Sequence, residues 1–204
     1  CSLVRSGDLL LMNVQRAIDF EKGIASLLTE STDIGAPWSD PKPFGPPIEH
    51  PDKEFQRISP SHVLSDGTVI ACGIFLPSGY DPTTGGRRLF RPSDILIGHR
   101  QIGADDFSWN RITSGTFLTE QFIAPGITLS DGRLVFTLWG SAVRGDNWQC
   151  GVLLSDDGGR TLRYRQVGYD PDPAIRKDPS VIAGFNEQTL FAASDGSLIS
   201  IIRG

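Results

Sequence analysis

Two pairs of ionisable residues sit where apolar, strand-like runs begin or end. Arg16 and Asp19 follow the run 9–14, and Glu187 and Arg203 flank an Asp-Gly turn. Carboxylates at such ends can move protons, and a guanidinium fork matches an anionic carboxylate bidentately without ever deprotonating. Other chemistry is thinly represented. His50, His62 and His99 show no metal-ligand spacing, and His62, just before an apolar run, reads as structural. Cys1, Cys72 and Cys150 form no CxxC, and the latter two lie in apolar runs where a free cysteine packs as a small hydrophobe. There is no phosphate-cradling glycine loop, so neither metal nor cofactor is expected. Gly85-Gly86-Arg87-Arg88 with Arg91 is a basic loop that reads as a solvated rim insertion able to touch an anion.

The elements that must position these residues come from an internal repeat. Leu64-Ser65-Asp66-Gly67-Thr68-Val69-Ile70 recurs as Leu129-Ser130-Asp131-Gly132-Arg133-Leu134-Val135 and as Ala193-Ser194-Asp195-Gly196-Ser197-Leu198-Ile199, with glycines 65 and 64 residues apart. A looser copy is Arg5-Ser6-Gly7-Asp8-Leu9-Leu10-Leu11. Asp-Gly between apolar runs predicts a two-residue hairpin turn with positive φ at both central residues. In the last copy that register pairs Ser194 with Ser197. It sets Glu187 and Arg203 on opposite faces of the hairpin unless a bulge intervenes.

A second element lies at a fixed offset. Ser155-Asp156-Asp157-Gly158-Gly159-Arg160-Thr161-Leu162 reads S-x-D-x-G-x-T-L, with Asp157 25 residues after Gly132. Ser31, Asp33, Gly35 and Trp38 read S-x-D-x-G-x-x-W, with Asp33 26 residues after Gly7. A degenerate copy runs from His99 to Gly103 and on through Asp105-Asp106-Phe107-Ser108-Trp109, delayed by a Gly- and Pro-rich insertion at 77–88. The aspartate accepts backbone N–H bonds across a tight turn, glycine supplies positive φ, and the aromatic plugs the layer beneath. These residues read as structural.

Each repeat thus predicts four short antiparallel strands, which in the third copy are 126–129, 133–139, 148–154 and 162–167. Such a unit is a propeller blade. The expected architecture is all-β and a single domain over 1–204. It holds blade one at about 1–48, blade two at about 57–115, blade three at about 121–170 and the inner hairpin of a fourth at about 185–204. In an up-and-down blade the Asp-Gly turns and the S-x-D turns share one side of the disc. The starts of first strands and the ends of second strands share the other, where the four ionisable residues converge.

A net charge of −5 and a sequence pI near 5.1 argue against a nucleic-acid surface. No run approaches the roughly 18 apolar residues of a membrane span. The chain opens on Cys1 within an apolar stretch and stops at Gly204 just after a strand-like run, so it is expected to be a fragment.

The S-x-D-x-G-x-T turn resembles the Asp box, and Asp boxes at blade spacing with Asp-Gly hairpins are similar to the sialidase superfamily of six-bladed β-propellers. The resemblance runs over essentially the whole chain, with Leu162 in place of the box tryptophan. Glu187 through Arg203 resembles the family's E…L-x-D-G-x-L…R segment. That implies Glu187 as the partner that polarises a tyrosine nucleophile and Arg203 as one of three arginines holding the substrate carboxylate. Gly7 through Asp19, followed by the Ser31 box, resembles the first-blade pattern, which implies Asp19 as acid/base with Arg16 beside it. The family's first arginine would precede residue 1, and its third arginine and tyrosine would follow Gly204. A neutral phenol avoids bringing a second anion to a carbon that already bears a carboxylate. An acid such as Asp19 would need a raised pKa to protonate the leaving oxygen.

The resemblance implies a retaining exo-glycosidase releasing sialic acid or a similar acidic sugar from a glycan, in an extracellular or periplasmic setting. A non-catalytic glycan- or protein-binding propeller and a hydrolase of another sugar are the alternatives, since a fold does not fix an activity.

Overall fold

The structure is a computed structural model that describes residues 2–15, 23–24, 26–33, 37–50, 54–77, 92–143, 146–170 and 184–204. Among these residues the regular structure is all strand, in four sheets. The first sheet orders β1 (Leu3–Ser6), β2 (Leu9–Gln15), β4 (Ser26–Ser31) and β5 (Lys42–Pro43). The second contains β6 (Phe55–Val63), β7 (Val69–Leu76), β8 (Asp94–Arg100) and β9 (Ser108–Ile112). The third contains β10 (Glu120–Thr128), β11 (Leu134–Ser141), β12 (Gln149–Ser155) and β13 (Arg163–Tyr169), and the last pairs β14 (Asn186–Ala192) with β15 (Leu198–Arg203). Strands succeed one another across each sheet in chain order, as an up-and-down blade requires. One element was not anticipated: β3 (Gly23–Ile24) adds to the inner edge of β6 in parallel, making the second sheet five-stranded.

The sheets pack face to face. Between the second and third lie Phe55, Ile70, Ile95 and Ile97 against Leu134, Phe136, Leu138 and Leu153. Phe44, Ile58, Ala71, Phe75 and Leu96 join the first sheet to the second. Val135, Val152 and Leu190 join the third to the hairpin. A strand with neighbours on both faces must be apolar throughout. Accordingly every residue of β7 is buried, whereas β15, with a neighbour on one face only, is mostly exposed.

The hairpin turns correct the sequence reading. In each of the three Asp-Gly repeats the loop has three residues, not two. Leu64 N–H donates to Thr68 O (2.9 Å) and Gly67 N–H back to Leu64 O (2.9 Å), with equivalent pairs at Leu129/Arg133 and Ala193/Ser197. Gly67, Gly132 and Gly196 alone take positive φ (+81°, +86°, +84°), while the aspartates do not. The aspartate instead caps the turn, its Oδ1 accepting from the N–H two residues on at Thr68, Arg133 and Ser197. This is a type I turn closed by a glycine bulge. The looser copy is the two-residue turn, with Ser6 opposite Leu9 and Gly7 at φ +60°.

The first strand of the third sheet also begins earlier than expected, at Glu120 rather than 126. Pro125 and Gly126 suggest a break, yet the strand carries them in a register shift between Ala124 and Ile127. Pro60 sits at a like shift in β6. A bulge is where a strand tolerates a residue with no N–H to donate.

Candidate functional site

The turns of neighbouring sheets interlock and so define one side of the molecule. Ser6 Oγ donates to Gly67 O at 2.8 Å, and His99 Nε2 lies 2.8 Å from Gly158 O. The Ser155 turn is built from the side chains expected of it. Ser155 Oγ accepts from Gly159 N–H at 2.7 Å and donates to Asp157 Oδ1 at 2.8 Å. Asp157 in turn accepts from the backbone N–H of Arg160 and Thr161 and from Thr161 Oγ1 (3.1, 2.8 and 2.6 Å). The Thr161 bonds hold the carboxyl at a pKa of about 2. Leu162 packs onto the core beneath. In the first sheet, Asp33 N–H donates to Ser31 Oγ at 3.4 Å and Trp38 is half-buried; Gly35 lies outside the described residues.

The opposite side gathers the starts of β6, β10 and β14 and the ends of β2, β7, β11 and β15. Asp19 and Arg16 lie outside the described residues, as do Arg87, Arg88 and Arg91. Glu187 and Arg203 are brought together: Arg203 Nη1 donates to Glu187 Oε2 at 2.8 Å. The hairpin departs from the two-residue register in two ways. The three-residue turn pairs Thr189 with Ile201, one step away from the two-residue register, and a bulge then pairs Asn186 with Arg203. At that bulge Glu187 takes φ +47°, the only positive φ of a non-glycine among the described residues. Left-handed backbone costs about 1–2 kcal/mol for a residue with a Cβ, and such strain concentrates at functional positions.

The two side chains are 67% and 61% exposed, so the pair adds little stability. Only Nη1 of Arg203 is engaged among the described residues, which leaves the rest of the fork open to an anion.

Sequence reasoning missed Glu120. It is the first residue of β10, fully buried on this same side, and its Oε2 accepts from Ser141 Oγ at 2.8 Å. Beside it, Gln121 N–H donates to Ser93 Oγ (2.8 Å), and Ser93 Oγ donates to Gln121 O (2.6 Å). Further out, Asp94 holds Arg111 Nε at 2.5 Å, and that guanidinium lies 4.0 Å above the Phe75 ring. The rule that first strands start on this side would have found Glu120, had the strand not been read as starting at Gly126, after Pro125.

The other singled-out residues are structural in their surroundings. His62 is buried edge-on to Phe136, and desolvation pushes its pKa down to about 4. Cys72 and Cys150 are free, buried thiols pushed up to about 12 by desolvation.

No protein-family model and no curated protein matches the sequence. Solved structures do match. The Trypanosoma rangeli sialidase in complex with sialic acid superposes with a TM-score of 0.68 over 97% of this chain at 12% identity. The same enzyme as its covalent intermediate with 2,3-difluorosialic acid gives 0.67 over 98%, also at 12% identity. The chain spans about a third (32%) of the length of those sialidase chains. At that identity the likeness speaks to architecture alone, and the architecture is plain: the chain has a sialidase-like fold of antiparallel β-propeller blades.

Proposed function

We propose that the chain forms part of a sialidase-like glycoside hydrolase that removes a terminal sialic acid, or a similar acidic sugar, from a glycan with retention of configuration. The observation that carries this reading is the Glu187–Arg203 pair, which meets at 2.8 Å where a strained bulge interrupts the hairpin, at the mouth side of a sialidase-like fold. A pair this exposed contributes little to folding, so the left-handed cost at Glu187 has no return in stability.

In this reading Arg203 receives the sugar carboxylate on its open N–H groups, in bidentate fashion. Glu187, already fixed against that guanidinium, accepts the proton of a phenolic nucleophile as it attacks the anomeric carbon. Asp19 protonates the departing glycosidic oxygen, and Arg16 adds positive charge beside it. The reading assigns no nucleophile within these 204 residues.

The test is release of sialic acid from a fluorogenic sialoside by the protein containing this sequence. Glu187→Gln and Asp19→Asn are each expected to lower kcat at least ~100-fold, as loss of a general acid or base does. Arg203→Lys is expected mainly to raise KM. Proton NMR of the first product should show the α-anomer. A well-folded protein that releases no sialic acid, or variants that release it at the wild-type rate, would overturn the assignment in favour of a glycan-binding propeller or another sugar.

A further inference from the structure

Away from Glu187 and Arg203, a groove of about 560 Å³ separates the outer parts of the first and second sheets. That volume is within the range of small-molecule sites. One wall is aromatic: Phe107 and Trp109 stack at 5.5 Å and 27°, and Phe44 meets both edge-on. Its back is the Arg100–Glu30 ion pair, which ties β8 to β4; Arg100 Nε also donates to Ala104 O at 2.7 Å. Asp105, Asp106 and Lys42 reach the rim, all three exposed and without an ion pair among the described residues. Residues 99–109 read in the sequence as a degenerate turn; Arg100, Asp105, Asp106, Phe107 and Trp109 of that stretch line the groove.

The geometry points to a second glycan site here, one that takes a neutral oligosaccharide. Apolar rings beside unpaired polar groups suit a ligand with one C–H face and several hydroxyls. Aromatic faces accept the C–H side. A carboxylate can only accept hydrogen bonds and an ammonium can only donate. A hydroxyl does both, so a polyhydroxy ligand serves Asp105, Asp106 and Lys42 together. An acidic sugar would bring its charge to two carboxylates without an ion pair among the described residues, and Lys42 offsets only one of them. A neutral sugar brings no such repulsion. This site rests on the groove alone and stands apart from the assignment at Glu187.

The experiment is saturation-transfer NMR on the whole chain with lactose, N-acetyllactosamine, maltotriose and cellotriose, and with sialyllactose as the acidic probe. The expected result is transfer to at least one neutral probe. Binding should fall about tenfold or more, a loss of about 1.4 kcal/mol, in the doubly substituted Asp105→Asn, Asp106→Asn protein. That variant changes exposed side chains only, so its fold is expected to survive. Trp109→Ala should abolish the signal, and Glu187→Gln should leave it unchanged. Three results overturn the proposal: no neutral probe binds, binding survives the double substitution, or sialyllactose alone binds. Sialoside turnover without neutral-sugar binding would sink the groove site and spare the hydrolase reading; the reverse result would do the opposite.

Discussion

His62 shows how a single side chain can set a pH limit on the fold. It is 4% exposed, its ring meets Phe136 at 4.7 Å and its Nδ1 lies 3.3 Å from Thr128 Oγ1 across the second and third sheets. Folding therefore lowers its pKa from 6.5 to about 4. Between those values the unfolded chain binds a proton that the native state refuses, so stability rises with pH there and is fully present above 6.5. Going from pH 7 to pH 4.5 should cost about 2–3 kcal/mol through this residue alone. The window is its own, because Asp157, held at about 2 against an ordinary 3.8, loses its contribution only at lower pH. Urea unfolding at pH 7 and pH 4.5 should show the loss in the wild type and a much smaller one in His62→Gln. Equal losses in the two proteins would remove His62 as the cause.

At the scale of the strand and turn, glycines divide into those that need only backbone freedom and those that need space. Gly132, at φ +86° in its turn, has nothing within 4 Å of where a Cβ would sit. Gly132→Ala should therefore cost only the left-handed penalty, about 1–2 kcal/mol. Gly140, at φ +149°, would place a Cβ 1.7 Å from Glu120 O. Gly140→Ala should cost about 3–5 kcal/mol and displace the start of β10, which carries Glu120. Urea midpoints of the two variants at matched m-values would test the ordering, and a similar loss in both would contradict it. These positions also show what the sequence could and could not convey. Asp-Gly spacing revealed the repeat and hence the strands, because a turn needs its glycine wherever the chain reverses. It did not reveal loop length, since a two-residue turn and a three-residue bulged turn both ask for Asp-Gly. That one-residue ambiguity is what decides whether Glu187 faces Arg203. Bulges hide in the same way: Pro60 and Pro125 look like strand breakers until the partner strand shows where the register slips.

The whole molecule was legible as an all-β propeller arrangement because repeats carry their architecture in period and turn chemistry; the solved sialidase that superposes on the chain does so at only 12% identity. What neither period nor turns describe is the outer surface, where the groove at Phe107 and Trp109 lies. They also do not say which sheet faces stay open. The β14–β15 hairpin leaves one face bare, with Phe191 and Ile199 51% exposed and Ile201 58% exposed. Phe191 is paired directly with Ile199, and Ile201 with Thr189, so these side chains form one continuous apolar strip beside Glu187 and Arg203. The strip lies on strands whose neighbours in the third sheet are covered on both faces. Exposed apolar strips on short hairpins recruit other chains. The isolated 204-residue chain is therefore expected to self-associate, with light-scattering mass rising with concentration. Ile199→Lys with Ile201→Lys should shift it toward monomer without loss of strand content by circular dichroism, because both side chains point away from the third sheet. A monodisperse wild-type monomer that unfolds cooperatively on heating would show that the hairpin tolerates its open face and that the other three sheets suffice to hold it.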